Sequence, residues 1–302
     1  MKLESIFELV GNTPIIKIDL NLKNNINIYV KLEGHNPTGS IKDRAAFSII
    51  KDKIAKKELI EDKKILDASS GSFACSMAYF GQLYGYDVVT VTGDKMTEDK
   101  LNFVNFFGAK NIKYNGNFTI DSNLYCKEVL IKNNPEEYCF LDQLHNWNNP
   151  KAHYETTGPE ILNDLPNVEA VAFSIGSGGT LCGISKYFRD NKPDTKIIGV
   201  TADVGTKIPG TAAFLDGEYE TPFIKELFKE NRITFMPTIN LLDANKRTLE
   251  LREKGIYSGI QTGAVMEGMV KAIDELNLSG DLLVISGDAG WKNSDKLSKL
   301  VE

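Results

Sequence analysis

Apolar runs of strand length alternate with segments of helical periodicity along almost the whole chain, and few architectures accept that rhythm. Residues 28–33, 64–68, 87–92, 111–114, 138–141, 170–175, 196–201 and 281–286 read as strands. Residues 43–55, 73–84, 97–107, 122–132, 154–164, 181–190, 244–254 and 263–276 read as helices between them. Several strands are rich in Val and Ile with little alternation, which suits sheets covered on both faces. The expectation is an α/β fold of doubly wound, mostly parallel sheets. At 302 residues the chain is long enough for two cores, and the polar stretch 142–151 is the candidate boundary. Residues 201–240 break the rhythm with Pro209, Gly210, Gly217, Pro222 and Pro237 and the acids Asp216, Glu218 and Glu220. An irregular segment is expected there, serving as an active-site lid or a subunit contact.

Composition excludes several function classes. Lys and Arg total 35 against 41 Asp and Glu, a net charge of −6. With no basic patch able to neutralise a run of phosphates, nucleic acid is not an expected partner. No apolar run is long enough to span a bilayer, so no membrane role is expected. Glu4 and Glu8 stand where a signal peptide would be basic and then apolar, so a cytoplasmic protein is expected. The four cysteines form no Cys-x-x-Cys pair, and there are three histidines. Neither a metal site nor a disulfide framework is expected; buried, reduced thiols are.

Four strand-to-helix junctions carry the chemistry, since ligands of such sheets bind beyond the carboxyl ends of strands. In the first, a strand runs through Asn36, Pro37, Thr38, Gly39, Ser40 and Ile41 to Lys42 at the start of a helix. The positive end of the helix dipole disfavours an ammonium, so a lysine there suits an imine with a carbonyl cofactor; a surface lysine is the ordinary alternative. The second junction is Ser69, Ser70, Gly71, Ser72 and Phe73, either a receptor for a small carboxylate or a simple capped turn. The third is Gly176, Ser177, Gly178, Gly179 and Thr180. Its glycines let backbone approach a phosphate, yet it is neither a dinucleotide fingerprint nor a P-loop. The fourth sets Gln261 and Thr262 between Gly259 and Gly263 at a helix entrance, as a binding position or a capping turn.

Together, and in this order, the four junctions resemble the cysteine synthase and cystathionine β-synthase family of pyridoxal-phosphate (PLP) enzymes. The run K-L-E-x-x-N-P-T-G-S-x-K-D-R over 31–44 carries the resemblance. It extends from Gly11, Asn12, Thr13 and Pro14 through Gln143 and 154–161 to 255–264. The resemblance implies PLP fold type II, like the tryptophan synthase β chain. It implies a larger cofactor-binding domain (1–44 plus 146–302) and a smaller mobile domain (45–145) that closes over substrate. Lys42 corresponds to the lysine that holds pyridoxal 5'-phosphate as a Schiff base and then takes the α-proton. Gly176, Ser177, Gly178, Gly179 and Thr180 correspond to the phosphate loop. Ser69, Ser70, Gly71, Phe73 and Gln143 fall on the substrate-carboxylate site, and Ser72 and Gln261 on cofactor contacts. An amino-acid substrate and a homodimer are implied, with no haem-binding or regulatory extension.

Three segments depart from the family pattern. Ser72 and Phe73 stand where the family has asparagine and threonine, and Gln261 where many members have a serine facing the pyridine nitrogen. A neutral amide donor there would still leave that nitrogen unprotonated. Residues 210–214 alter a glycine-rich run. The expected chemistry is β-replacement or β-elimination through an aminoacrylate, on cysteine or an activated serine. The altered pocket favours L-cysteine as substrate, releasing hydrogen sulfide and forming serine, with Asp203 or Asp216 as candidate bases for water. The alternatives are O-acetylserine sulfhydrylation, O-phosphoserine or 2,3-diaminopropionate chemistry, and a catalytically silent PLP-binding protein.

Overall fold

The computed structural model describes residues 2–22, 25–69, 71–93, 96–115, 119–212 and 220–300. The chain divides into two compact units, Met1–Ile41 with Pro150–Glu302, and Lys42–Asn149. The first unit opens with β1 (Ile15–Ile18) and β2 (Ile26–Leu32). The second unit follows with α1 (Lys42–Ala55), β3 (Lys64–Ala68), α2 (Ser72–Leu83), β4 (Val88–Thr92), α3 (Glu98–Phe106), β5 (Lys110–Lys113), α4 (Thr119–Tyr125) and β6 (Tyr138–Phe140). A π-helical turn, Cys126–Ile131, extends α4. The short α5 (Asn148–Ala152) carries the boundary. The first unit then resumes with α6 (Gly158–Asp164), β7 (Val168–Ser174), α7 (Gly179–Asn191), β8 (Lys196–Ala202), α8 (Pro222–Lys229), β9 (Thr238–Ile239), α9 (Leu241–Glu253), α10 (Ile260–Glu275), β10 (Gly280–Ser286) and α11 (Ser294–Leu297).

The six-stranded sheet of the first unit has the order β1-β2-β10-β7-β8-β9, parallel except for the antiparallel β1–β2 edge. The second unit holds a parallel sheet ordered β5-β4-β3-β6. Alternate residues of β10 enter different cores: Leu282 and Val284 join the cluster containing Ala264, Val265 and Met269 of α10, whereas Leu283 and Ile285 join Leu181 and Ile184 of α7. Both faces of the strand are thus buried, the arrangement implied by Val/Ile runs without alternation. All four cysteines are buried thiols.

Residues 222–229 correct the expectation of an irregular segment. Pro222 opens α8 instead of breaking a helix, because a first-turn residue has no intrahelical partner for an N–H. Thr221 caps it by accepting from Ile224 N–H, and Phe223, Ile224 and Leu227 are buried. Ile15–Ile18 and Thr238–Ile239 are strands that periodicity missed, at four and two residues too short to establish a pattern. The 154–164 helix is in fact a π-helical turn, His153–Thr157, followed by α6. Asp216 and the rest of 213–219 lie outside the described residues.

Gly183 shows how tightly α7 is seated. A Cβ there would lie 2.1 Å from the Pro150 carbonyl oxygen and 2.8 Å from His153 Cβ. The backbone of α5 cannot yield as a side chain would, so Gly183→Ala is expected to destabilise the protein by about 1–3 kcal/mol. A lowered chemical-denaturation midpoint at unchanged slope would confirm it.

Candidate active site

The carboxyl end of β7 turns into α7 through the glycine-rich loop. Gly178 is the N-cap, with φ +83°, and a Cβ there would meet Ile224 Cγ1 at 2.6 Å. A Cβ on Gly176 would lie 2.9 Å from the Gly210 carbonyl oxygen. Both positions therefore need glycine for steric reasons. The Ser177 carbonyl accepts from Thr221 Oγ1 at 2.6 Å, while Ser177 Oγ is buried and has no hydrogen-bond partner among the described residues. A buried hydroxyl beside the N-terminus of a 13-residue helix is a cradle for an anion. Thr180 Oγ1 lies 3.2 Å from His153 Nε2, whose Nδ1 lies 3.0 Å from Thr157 Oγ1. His153 is fully buried and was not among the sequence candidates.

Gln261, the second residue of α10, donates from Nε2 to Ser174 Oγ at 2.5 Å and to the Gly210 carbonyl at 3.0 Å. It thus lies beside the turn that abuts Gly176. Asp203 follows β8; its N–H donates to the Ile239 carbonyl and its carbonyl accepts from Thr206 N–H. Among the described residues, no hydrogen bond or ion pair joins it to the glycine-rich loop.

In the second unit, Lys42 is the first residue of α1 and half-buried. Its neighbour Asp43 is fully buried and accepts from Ser76 Oγ at 2.6 Å, tying the first turn of α1 to α2. The loop after β3 begins at Ser69, whose N–H donates to the Val91 carbonyl and whose Oγ accepts from Gly71 N–H. Ser72 and Phe73 are buried in the first turn of α2. No described atom lies within 4 Å of a Cβ placed on Gly71, and its φ of −120° suits any residue. Neither packing nor backbone conformation demands glycine there, which leaves room for a ligand to approach. Ser70 lies outside the described residues.

Gln143 joins this loop at its base. Its Nε2 donates to the Ala68 carbonyl at 3.0 Å, and its own N–H donates to Asp67 Oδ2 at 2.9 Å. Asp67 Oδ1 accepts from Ala68 N–H at 2.7 Å, so one carboxylate joins the end of β3 to Gln143. Burial pushes the Asp67 carboxyl up to about 8 despite these two N–H donors. Asp142, next to Gln143, moves the other way. Burial raises it, but hydrogen bonds from Lys127, His145 and Asn123 outweigh that and hold it below the usual carboxylate range.

The sequence matches the pyridoxal-phosphate dependent enzymes over residues 6–287. The chain belongs to that family. It is similar to cysteine synthase B of Salmonella typhimurium, at 30% identity over 87% of this chain and 86% of that one. Among solved structures it is similar to a hydrogen sulfide-producing enzyme from Fusobacterium nucleatum, at TM-score 0.86 and 31% identity over 96% and 99% of the two chains. It also matches an O-ureido-L-serine synthase at TM-score 0.89 and 25% identity, over 100% of this chain and 97% of that one. The fold is PLP fold type II, and the protein is a cysteine synthase-like β-replacement enzyme using pyridoxal 5'-phosphate. The cradle at Ser177 and the α7 N-terminus fits the phosphate of that group. Among the described residues, no helix is long and apolar enough to cross a membrane.

A stability measurement tests the Asp67 assignment. The native carboxyl keeps its proton up to about pH 8, while the unfolded one releases it near pH 4, so native stability falls as pH rises between them and levels off above. Asp67→Asn cannot titrate. Urea midpoints from pH 5 to 9 should shift in favour of the variant as pH rises; parallel curves would refute the raised value.

Proposed function

We propose that the enzyme takes L-cysteine, releases hydrogen sulfide and forms L-serine, one water being consumed for each sulfide lost. The departures at Ser72 and Phe73 carry this reading, since they change the turn assigned to the substrate carboxylate. A shorter hydroxyl replaces an amide, and an aromatic ring only 2% exposed replaces a second hydroxyl. Likeness to a hydrogen sulfide-producing enzyme supports it. When bound, pyridoxal phosphate supplies an electron sink that makes the α-proton of an amino acid removable.

Lys42 is assigned to hold the cofactor through its amine and then to take the α-proton. Gly176, Ser177, Gly178, Gly179 and Thr180 hold the phosphate, with Ser72 as a further cofactor contact and Gln261 beside the loop. Ser69, Ser70, Gly71 and Gln143 orient the substrate carboxylate, and Phe73 helps to keep water away until the leaving group departs. Asp203 is assigned to take a proton from the attacking water, and Asp216 is its alternate in sequence. The second reading, O-acetylserine and sulfide giving L-cysteine, is favoured by likeness to cysteine synthase B. The family resemblance further supports a homodimer working in the cytoplasm.

Incubation with L-cysteine alone, followed by mass spectrometry, is expected to yield sulfide and serine in equal amounts. Faster turnover of O-acetylserine with sulfide, and none of cysteine, would select the second reading. Lys42→Ala should lower either rate by on the order of 10³-fold. Borohydride reduction should leave the cofactor on the peptide bearing Lys42.

A further inference from the structure

Gln261 makes two contacts that its position at a helix entrance does not suggest. The Gly210 carbonyl can only accept a hydrogen bond, so the amide nitrogen of Gln261 must face it. The same nitrogen reaches Ser174 Oγ, and both of its protons are then engaged. Ser174 closes β7 immediately before the phosphate loop, and Gly210 is the residue whose carbonyl lies 2.9 Å from a Cβ placed on Gly176. The Gly210 turn is further joined to the strand ends where Ala212 N–H donates to the Ile175 carbonyl and Ala202 N–H to the Ala212 carbonyl.

The site is shaped around this amide. A Cβ on Gly210, which has φ +75°, would lie 2.7 Å from Gln261 Nε2, and one on Gly287 would lie 2.5 Å from Oε1. Two glycines on separate segments thus leave the space that the carboxamide fills. Gly287 follows β10, so a single side chain meets the ends of β7 and β10 and the turn after β8.

We propose that Gln261 is a positioning residue for the phosphate loop. Its carboxamide clamps the Gly210 turn to the end of β7 and so holds Gly176 in the shape that receives a phosphate. This rests on assigning residues 176–180 to the cofactor phosphate. On this proposal Gln261 offers no donor to the pyridine ring, because both amide protons are used within the protein.

The test measures affinity rather than turnover. The full chain, stripped of cofactor, is titrated with pyridoxal 5'-phosphate and separately with pyridoxal, which lacks the phosphate. Gln261→Ala is expected to weaken pyridoxal phosphate about tenfold and leave pyridoxal unchanged, in line with the loss of one or two hydrogen bonds. Gly287→Ala, which crowds the amide without removing it, should cause a similar loss. The double variant should be no worse than either single change, because both disrupt one clamp. Equal weakening of both ligands would show a ring contact or a general structural defect and overturn the proposal, as would unchanged affinity or additive losses. If the parent chain took up neither ligand, the cofactor assignment itself would fall and the clamp with it. Melting temperatures of the cofactor-free proteins show whether each variant is folded before it is titrated.

Discussion

A strand buried on both faces leaves the chain one outlet for polar backbone, the edge where strand gives way to helix. β7 sends Ala170 and Ala172 into one core and Val171 and Phe173 into the other, and the apolar demand ends at Ser174. Only beyond that point do three glycines and two hydroxyl residues turn into α7. β3 repeats the pattern: Ile65, Leu66, Asp67 and Ala68 are buried, and the hydroxyl-rich turn begins at Ser69. Each unit thus has a turn of glycine and hydroxyl residues at the carboxyl end of a buried strand, the place where ligands of such sheets bind.

That constraint explains why the junctions were legible in the sequence. β-branched runs mark buried strands, and Gly, Ser and Thr gather where backbone must be left exposed, so the turns at 69–73 and 176–180 can be read from local composition. The struts behind those turns cannot. Asp67 holds Gln143 from 76 residues away, and Gln261 reaches Ser174 across 87. His153 carries no signal in the sequence, and only its contact with Thr180 shows what it supports. Pro222 was misread for a different reason: proline ends a helix in its interior but starts one at the first turn, and the Thr221 cap decides between them.

Asp67 and Asp142 show how far environment outweighs residue type. Both sit at the carboxyl ends of neighbouring strands, and each is at least partly buried. Asp142 is met by a lysine and an imidazole and stays ionised, even though it occupies a left-handed backbone conformation at φ +52°. Among the described residues Asp67 takes its hydrogen bonds from backbone N–H groups, which do not repay the loss of water around a full charge. A carboxyl of the second kind can still bridge two backbone segments while neutral, which suits the floor of a turn proposed to receive a substrate carboxylate. A fixed negative charge in that floor would repel the ligand.

The replacement of serine by Gln261 cannot be judged as a change at one position. A longer side chain at the entrance to α10 needs space, and that space comes from missing Cβ atoms at Gly210 and Gly287 rather than from smaller neighbouring side chains. Backbone carbonyls and strand ends are stiffer than side chains, so an amide seated among them fixes its surroundings more strictly than a serine hydroxyl would. Ser72 and Phe73 lie in the other turn, where a hydroxyl and a ring stand in place of the amide and hydroxyl of the family pattern. One turn has become more tightly braced and the other less polar. On the proposed assignments, a braced phosphate loop beside a less polar carboxylate turn is consistent with release of the product to water.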